Sequence, residues 1–265
     1  MKQGFIPDIM QSHDILIKYI GEEWYAKQLE YGGLFMRTPR YYKEQGVQNM
    51  SMGDPSEFDD LYPIWCASIF QAPDDIEIYW NLDMNTSQYS IKATLSEEAS
   101  EDVVKALNGF VDNNIEFQPL GKYAVVMFNA AKYIGGLVEG FTDASFSFVD
   151  KTVRAVPIEC GRVSYGEVLE NHPKLYKSDS RFKYQREYRI RLGLCVSPNK
   201  YDVILNLTNN RILKKKYTEM SIFNKEEILD EYYKNGRVSF PFVYQNIANM
   251  IREKNETNSI RAGFV

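Results

Sequence analysis

The sequence predicts an α+β fold with a mostly antiparallel sheet, either single or split into two packed sheets, and with helices on its outside. Short runs rich in aromatic and β-branched residues recur along the chain, while helical periodicity is confined to a few stretches. No internal repeat or Pro/Gly/Ser-rich linker divides the sequence. We therefore expect a single domain over residues 1–265, with a core at about 15–210 and a C-terminal helical segment at about 222–255.

The first 46 residues are expected to form a strand, a helix, a strand and a short helix in that order. Early glutamates suit the N-terminus of the first helix, and Gly32 and Gly33 suit its end. Thr38 as N-cap and Pro39 at the first helical position begin the short helix. The four predicted elements cover residues 14–20, 22–31, 33–36 and 38–46.

The rest of the sheet is predicted from further aromatic and β-branched runs. These strands cover residues 64–70, 74–82, 87–95, 122–129, 145–149, 181–192 and 201–207. Residues 96–114 form the clearest amphipathic helix, whose apolar side consists of Val103, Val104, Leu107, Phe110 and Val111. Two later stretches, 224–235 and 240–255, are also predicted to be helical.

Composition and motifs narrow the possible classes of function. The chain is 44% hydrophobic and has no run of about 18 apolar residues, so we expect a cytoplasmic protein with no membrane partner. Cys66, Cys160 and Cys195 are scattered, and only His13 and His172 could help them hold a metal, so no metal site is expected. The sequence contains no phosphate-binding loop, dinucleotide-binding glycine motif or hydrolase serine elbow.

Charge is distributed unevenly along a chain whose net charge is −5. Residues 181–216 contain ten basic and two acidic residues, which gives this segment a net charge of +8. Such a patch attracts phosphates or nucleic acid, although it equally suits packing against the acidic N-terminal half. The acids between Asp54 and Asp60 indicate either a solvated turn or a cation site.

The basic segment begins with a predicted strand that carries a single carboxylate, Glu187. With a period of two, one face of this strand carries Lys183, Gln185, Glu187, Arg189 and Arg191. The face is either a surface on which Glu187 pairs with Arg189 or a cross-strand arginine, or the floor of a site for an anionic ligand.

Several short motifs resemble, in order, a bacterial and phage family of unknown function. That family shows a Lys-Tyr strand, a Gly-Leu-Phe strand with an aromatic turn, an Asp/Glu-rich loop and a late aromatic-x-Glu-Tyr-Arg strand. The matching segments are LIKYIGEE, GGLFMRTPRYYKEQG, GDPSEFDD, WCASIF, GRVSYGE and FKYQREYRI. This resemblance implies a role in conflict between bacteria and phage.

A second likeness is to ADP-ribosyltransferases. These enzymes carry Gln-x-Glu or Glu-x-Glu entering a strand, a Ser-x-Ser strand before it, and an N-terminal Arg or His that grips the dinucleotide. Gln185-Arg186-Glu187 is similar to the first element, and Ser145-Phe146-Ser147 is similar to the second. Lys18, Arg37 or Arg40 would supply the third.

The likeness implies NAD as cofactor and Glu187 as the catalytic carboxylate. Breaking the bond between nicotinamide and ribose builds positive charge on the sugar, and a carboxylate stabilises that charge more in the transition state than in the ground state. Gln185 would orient the acceptor. The residues expected to bind the cofactor are Lys18, Arg37, Ser145, Ser147, Arg189 and Arg191.

Two other interpretations are open. The chain would alternatively be a non-catalytic phage or defence module that captures a nucleotide or a protein partner through a basic, Tyr-rich surface. The second interpretation is nucleic-acid binding, which is supported by Arg189, Arg191 and Lys214 to Lys216. These cations are interleaved with tyrosines that could stack on bases. The acidic remainder of the chain argues against nucleic acid.

Overall fold

The architecture is taken from a computed structural model. The described residues are 15–31, 33–37, 65–83, 88–112, 115–117, 120–143, 145–147, 152–166, 175–177, 180–194, 202–206 and 220–243. The predicted helix at 38–46, Arg40 and the acidic loop from Asp54 to Asp60 lie outside these ranges.

Sixteen strands are present within the described residues. They are β1 (Leu16–Ile20), β2 (Gly33–Arg37), β3 (Trp65–Gln71), β4 (Ile76–Asp83), β5 (Gln88–Leu95), β6 (Phe110–Asp112), β7 (Ile115–Phe117), β8 (Tyr123–Met127), β9 (Ser145–Ser147), β10 (Thr152–Arg162), β11 (Ser164–Tyr165), β12 (Tyr176–Lys177), β13 (Glu187–Leu194), β14 (Asp202–Asn206), β15 (Met220–Asn224) and β16 (Ser239–Val243).

Helices occupy five further segments of the described chain. They are α1 (Glu23–Leu29), α2 (Glu97–Asn108), α3 (Ala130–Asp143), α4 (Lys225–Asn235) and a 3₁₀ helix (Ser180–Gln185). No helix in the described ranges is long and apolar enough to cross a membrane.

Nine strands form one large antiparallel sheet in the order β15-β8-β1-β3-β13-β10-β9, with β2 paired to β3 and β14 paired to β2. Strands β1 and β2 share one edge of β3, because Gln71 of β3 is in register with β1 and Ala67 of β3 is in register with β2. Strand β13 runs along the other edge of β3. A second antiparallel sheet has the order β16-β5-β4. The predicted α+β class with two sheets is therefore confirmed.

Two hydrophobic cores cover the two faces of the large sheet. On the first face, Leu16, Phe70 and Ile190 pack with residues of α1 and α3. On the second face, Ile17 and Val126 pack with α2, α4 and the second sheet. Successive residues of a strand point to opposite faces of the sheet. Each polar residue of β1, β3 and β13 therefore lies on either the first or the second face.

Helix α2 is shorter than its pattern predicted. Ser96 caps its N-terminus, where its hydroxyl accepts a hydrogen bond from the Ala99 N–H at 3.1 Å. The helix ends at Asn108 because Gly109 has a φ of 79°, which a helix does not allow. Phe110 and Val111, predicted to be on the apolar side of the helix, instead belong to β6.

The C-terminal segment is only partly helical, which corrects its prediction. Asn224 and Glu227 form a capping box at the start of α4, and Gly236 ends the helix in a left-handed conformation with a φ of 69°. The residues predicted as a helix from 240 begin instead as strand β16. Its Pro241 is tolerated because β16 lies at an edge of the second sheet.

Helix α3 has no counterpart among the predicted elements. Its sequence contains Gly135 and Gly136, and adjacent glycines weaken a helix pattern. Tyr133, Ile134 and Leu137 are nevertheless buried against the first face of the large sheet, and this packing stabilises the helix despite its glycines.

Candidate functional site

Glu187 is the first residue of β13, and the residues before it are not extended. Ser180–Gln185 wind as a 3₁₀ helix in which Phe182 and Gln185, three positions apart, are buried. The prediction of one strand over 181–192 is therefore wrong in its first half. The aromatic alternation of that half reflects a tight helical turn and not a pleated strand.

Arg186 joins the 3₁₀ helix to β13 in a strained conformation. Its φ is +42°, which is uncommon for any residue other than glycine and costs about 1–3 kcal/mol. Its guanidinium contacts three carboxylates, those of Asp102 at 2.6 Å, Glu98 at 3.0 Å and Asp74 at 3.3 Å. Burial raises the pKa of Asp102, although the charge of Arg186 acts in the opposite direction. These contacts tie the entrance of β13 to α2.

The carboxylate of Glu187 is held between two cations in the protein interior. Its Oε1 accepts a hydrogen bond from Lys177 Nζ, and its Oε2 accepts one from Arg189 at 2.7 Å. Lys177 also donates to Gln185 Oε1 at 2.9 Å. The side chains of Lys177, Glu187 and Arg189 are 2%, 4% and 1% exposed. We use the name Glu187 cluster for these residues together with Arg191, which is also buried and lies two residues beyond Arg189 on the same face of β13; its members are Lys177, Gln185, Glu187, Arg189 and Arg191.

The cluster keeps Glu187 ionised. Burial alone would raise the pKa of this carboxyl, but the charges of Lys177 and Arg189 outweigh burial and lower it. Lys177 Nζ also lies 4.6 Å from the centre of the Phe182 ring. Arg191 follows Arg189 two residues later on the same face of β13 and is in register with Glu159 of β10.

A strip of uncharged polar side chains continues from the cluster along the second face. Gln71 of β3 is in register with Glu187, and its amide donates to the Tyr184 carbonyl at 3.5 Å. The hydroxyl of Tyr19 donates to Gln71 Oε1, and that of Tyr165 accepts the Glu187 backbone N–H at 2.9 Å. Burial raises the pKa of Tyr184 to about 12, so its hydroxyl stays protonated at neutral pH.

Lys177, Gln71 and Tyr165 were not predicted as site residues. Lys177 lies on a two-residue strand, β12, which is too short to show periodicity. Gln71 is the last residue of β3, and Tyr165 belongs to another two-residue strand. Only the contacts between distant segments bring these side chains to Glu187, and no local pattern reports such contacts.

The predicted site residues divide into those near the cluster and those away from it. Arg37 of β2 is in register with Ala67, which is in register with Arg191, so Arg37 lies in the same row two strands away, about 10 Å between backbones. Lys18 belongs to the first face, where it bonds to Ser68 of β3. Lys18 and Glu187 therefore lie on opposite faces of the sheet.

Ser145 and Ser147 lie at the far end of β10 from Glu187. Ser145 is in register with Arg154 of β10, whereas the Glu187 carbonyl accepts the N–H of Val163 at 2.8 Å. From 154 to 163 is nine residues of extended chain, or roughly 30 Å. These two serines are therefore not part of the Glu187 cluster.

Comparison with known proteins adds no family to this picture. No protein-family model, curated protein or solved structure matches the chain. Over the described residues, no three His, Cys, Asp or Glu side chains converge in a way that could hold a metal ion. The fold and the site thus define the protein as an α+β protein with a buried ion cluster on the second face of its large sheet.

Proposed function

We propose that the protein captures a phosphate-bearing nucleotide at the Glu187 cluster without turning it over. The observation that carries the proposal is the convergence of Lys177 and Arg189 on one buried carboxylate, with the buried Arg191 two residues further along the same face of β13. Guanidinium groups suit phosphate oxygens because they donate two parallel hydrogen bonds. Two half-buried tyrosines, Tyr165 and Tyr184, flank the cluster and offer rings for a base or sugar.

Binding is favoured over catalysis because of how Glu187 is used. A carboxylate that assists cleavage next to a ribose must contact that sugar with one of its oxygens. In this protein each oxygen already accepts a charged hydrogen bond, and the side chain is 4% exposed. Glu187 therefore acts here by holding Lys177 and Arg189 in place.

Access to the cluster depends on Lys177. This residue lies on the two-residue strand β12, whose partner among the described strands is β11 in a two-stranded sheet. Glu187, Arg189 and Arg191 instead belong to a strand paired on both edges within the large sheet. A two-residue pairing opens at a lower free energy than a central strand, so the β11–β12 side is the route by which a phosphate would reach the arginines.

The test is a thermal-shift and calorimetry panel of ADP-ribose, NAD, adenosine phosphates and a short RNA. A ligand present at about 100 times its Kd stabilises the native state by about 2.7 kcal/mol, which corresponds to roughly 5–11 °C for a protein of this size. We expect such a shift with at least one nucleotide. Arg191→Gln should weaken that binding by about 10-fold or more, because a charge-assisted hydrogen bond contributes about 1.5–3 kcal/mol.

The matched control is Arg237→Gln, which removes an arginine that is 43% exposed and pairs with Glu77. It should leave nucleotide binding unchanged. The proposal fails if no nucleotide shifts the melting temperature of the unmodified protein, or if both arginine variants weaken binding equally. Binding of RNA alone would indicate a nucleic-acid protein instead.

A second function, NAD-using ADP-ribosyl transfer or NAD hydrolysis, is favoured by one feature. Gln185 and Glu187 stand at the entrance of a strand, as in the ADP-ribosyltransferases that the sequence resembles, and both contact Lys177. If this function holds, a ligand must displace Lys177 and take its place on Glu187. Purified protein would then release nicotinamide from NAD, and Glu187→Gln, assayed at a temperature where it is folded, would bind NAD but release none. Absence of nicotinamide from the unmodified protein would exclude this function.

A further inference from the structure

Two helices on the second face of the large sheet end at an asparagine that is followed by glycine. Asn108–Gly109 ends α2 and Asn235–Gly236 ends α4, and these are the two Asn-Gly pairs of the whole sequence. Glycine has no Cβ, so its backbone nitrogen can approach the side-chain amide carbon of the preceding residue without steric hindrance. Attack by that nitrogen would close a five-membered ring and expel ammonia. Both asparagines are exposed, so water reaches each pair.

The two glycine nitrogens differ in their hydrogen bonds. The Gly236 N–H donates to the carbonyl oxygen of Tyr232 at 2.7 Å, which closes the end of α4. The Gly109 N–H makes no such bond with any residue that the structure describes, and the chain leaves α2 there with a φ of 79° and a ψ of 172°. A nitrogen whose proton is held in a helix-ending bond is restrained from turning toward a side-chain carbon. The geometry therefore leaves the Gly109 nitrogen available and holds the Gly236 nitrogen back.

A hydroxyl group lies beside the nitrogen that would leave Asn108. The Nδ2 atom of Asn108 donates to the hydroxyl of Tyr233 in α4 at 3.3 Å. Once the ring has closed, the same nitrogen becomes an amine with a lone pair, which can accept the proton of that hydroxyl. Tyr233 is 70% exposed, so water can return a proton to it. Tyr233 is thus positioned to act as a general acid for the loss of ammonia.

We propose that Asn108–Gly109 is a self-modifying site, where Asn108 is converted to aspartate and isoaspartate with Tyr233 as proton donor. The Gly109 nitrogen bonds to Cγ of Asn108 and loses its proton to water. The bond between Cγ and Nδ2 then breaks, and the nitrogen keeps the electron pair, takes the Tyr233 proton and leaves as ammonia. Tyr233 regains a proton from water. A water molecule opens the cyclic imide at either carbonyl, so one water is consumed for each ammonia released.

The modification changes the junction between α2 and α4. A carboxylate has no proton to donate, so the hydrogen bond from Asn108 to Tyr233 is lost. The new negative charge stands at the C-terminal end of α2, where the helix dipole disfavours it. The isoaspartate product also adds one methylene group to the backbone between α2 and β6. The site uses none of the residues of the Glu187 cluster, so its chemistry is independent of the proposed nucleotide binding.

The test is incubation of the purified protein at pH 7 in heavy-oxygen water, followed by peptide mapping with mass spectrometry. Heavy oxygen marks the molecules that deamidate during the incubation. We expect Asn108 to be converted at least about 10-fold faster than Asn235 in the folded protein, because it combines an available nitrogen with a proton donor. In concentrated urea the two rates should agree within about 2-fold, since the unfolded chain loses both features.

Tyr233→Phe separates assisted conversion from the ordinary instability of an Asn-Gly pair. The variant should slow conversion of Asn108 by at least about 5-fold and leave that of Asn235 unchanged. The matched control is Tyr31→Phe, which removes the hydroxyl of a 55% exposed tyrosine just after α1, on the first face of the sheet, and should change neither rate. Folding of each variant is checked by circular dichroism. Conversion of Asn108 that is no faster than that of Asn235 in the folded protein, or that is insensitive to Tyr233→Phe, would overturn the proposal.

Discussion

Replacing Glu187 with glutamine should destabilise the protein strongly, because the buried cluster depends on its charge. The change preserves the size of the side chain but leaves Lys177 and Arg189 without their carboxylate, at 2% and 1% exposure. Two charge-assisted hydrogen bonds at about 1.5–3 kcal/mol each bound the loss. Removal of one partner of a buried ion pair typically costs about 3–5 kcal/mol, and we expect this range.

The assay is urea unfolding at pH 7 with a melting curve as a second measurement. A loss of about 3–5 kcal/mol corresponds to a melting temperature lower by roughly 6–20 °C. Glu23→Gln is the matched control, since it removes a Glu–Lys pair whose side chains are 53% and 61% exposed. That change should cost at most about 0.5 kcal/mol. Equal effects of the two changes would refute the view that the cluster stabilises the interior.

The effect of Glu187→Gln should also depend on pH. Lys177 and Arg189 hold the pKa of Glu187 below its unfolded value of about 4.3. A lowered carboxyl pKa contributes stability that is fully present above the unfolded pKa and is lost as the pH falls through the folded one. The difference between the unmodified protein and the variant should therefore shrink below about pH 4.

Three further changes test other parts of the structure by urea unfolding. Lys18→Met should raise the free energy of unfolding by about 2–3 kcal/mol at pH 7, because the fall in the pKa of Lys18 from 10.5 to about 7 costs roughly 5 kcal/mol and the two hydrogen bonds lost in the variant offset about 2 kcal/mol. The gain should vanish toward pH 10.5, and a gain independent of pH would contradict this explanation. Arg186→Gly should be more stable than Arg186→Ala by about 1 kcal/mol, because only glycine relieves the positive φ, and equal stability would argue against strain. Asn224→Ala should cost about 1 kcal/mol by removing the capping box of α4, whereas an unchanged midpoint would show that packing alone fixes this helix.

Local sequence patterns were sufficient to predict the elements whose structure depends mainly on residues close together in the chain. Strands β1, β3, β5 and β8 were predicted nearly to their ends, because aromatic and β-branched runs match a half-buried pleated surface. Helix α4 was predicted to within a residue, since Asn224 and Gly236 mark its ends chemically. The α+β class followed from these elements.

Tertiary contacts decided the rest. The 3₁₀ helix before Glu187 was predicted as a strand because alternating aromatic residues are compatible with either structure. The end of this helix depends on the contacts of Arg186 with acidic residues that are distant in the sequence. The pairing of Glu187 with Arg189 was one of the alternatives read from the sequence, and the structure contains it. The second cation, Lys177, is ten residues away across a helical turn and was not foreseen.

The path of the last described segment bears on how the protein is made. Strand β15 closes one edge of the large sheet, and β16 closes one edge of the second sheet, with α4 between them. A nascent chain on the ribosome therefore leaves the β8 edge of the large sheet unpaired until residue 224 has emerged and the β5 edge of the second sheet unpaired until residue 243 has emerged. Strand β3 likewise waits for β13, more than a hundred residues later. Such distant pairing folds slowly, so synthesis in the cell leaves a period in which unpaired strands are vulnerable to aggregation and in which a chaperone would be of most use.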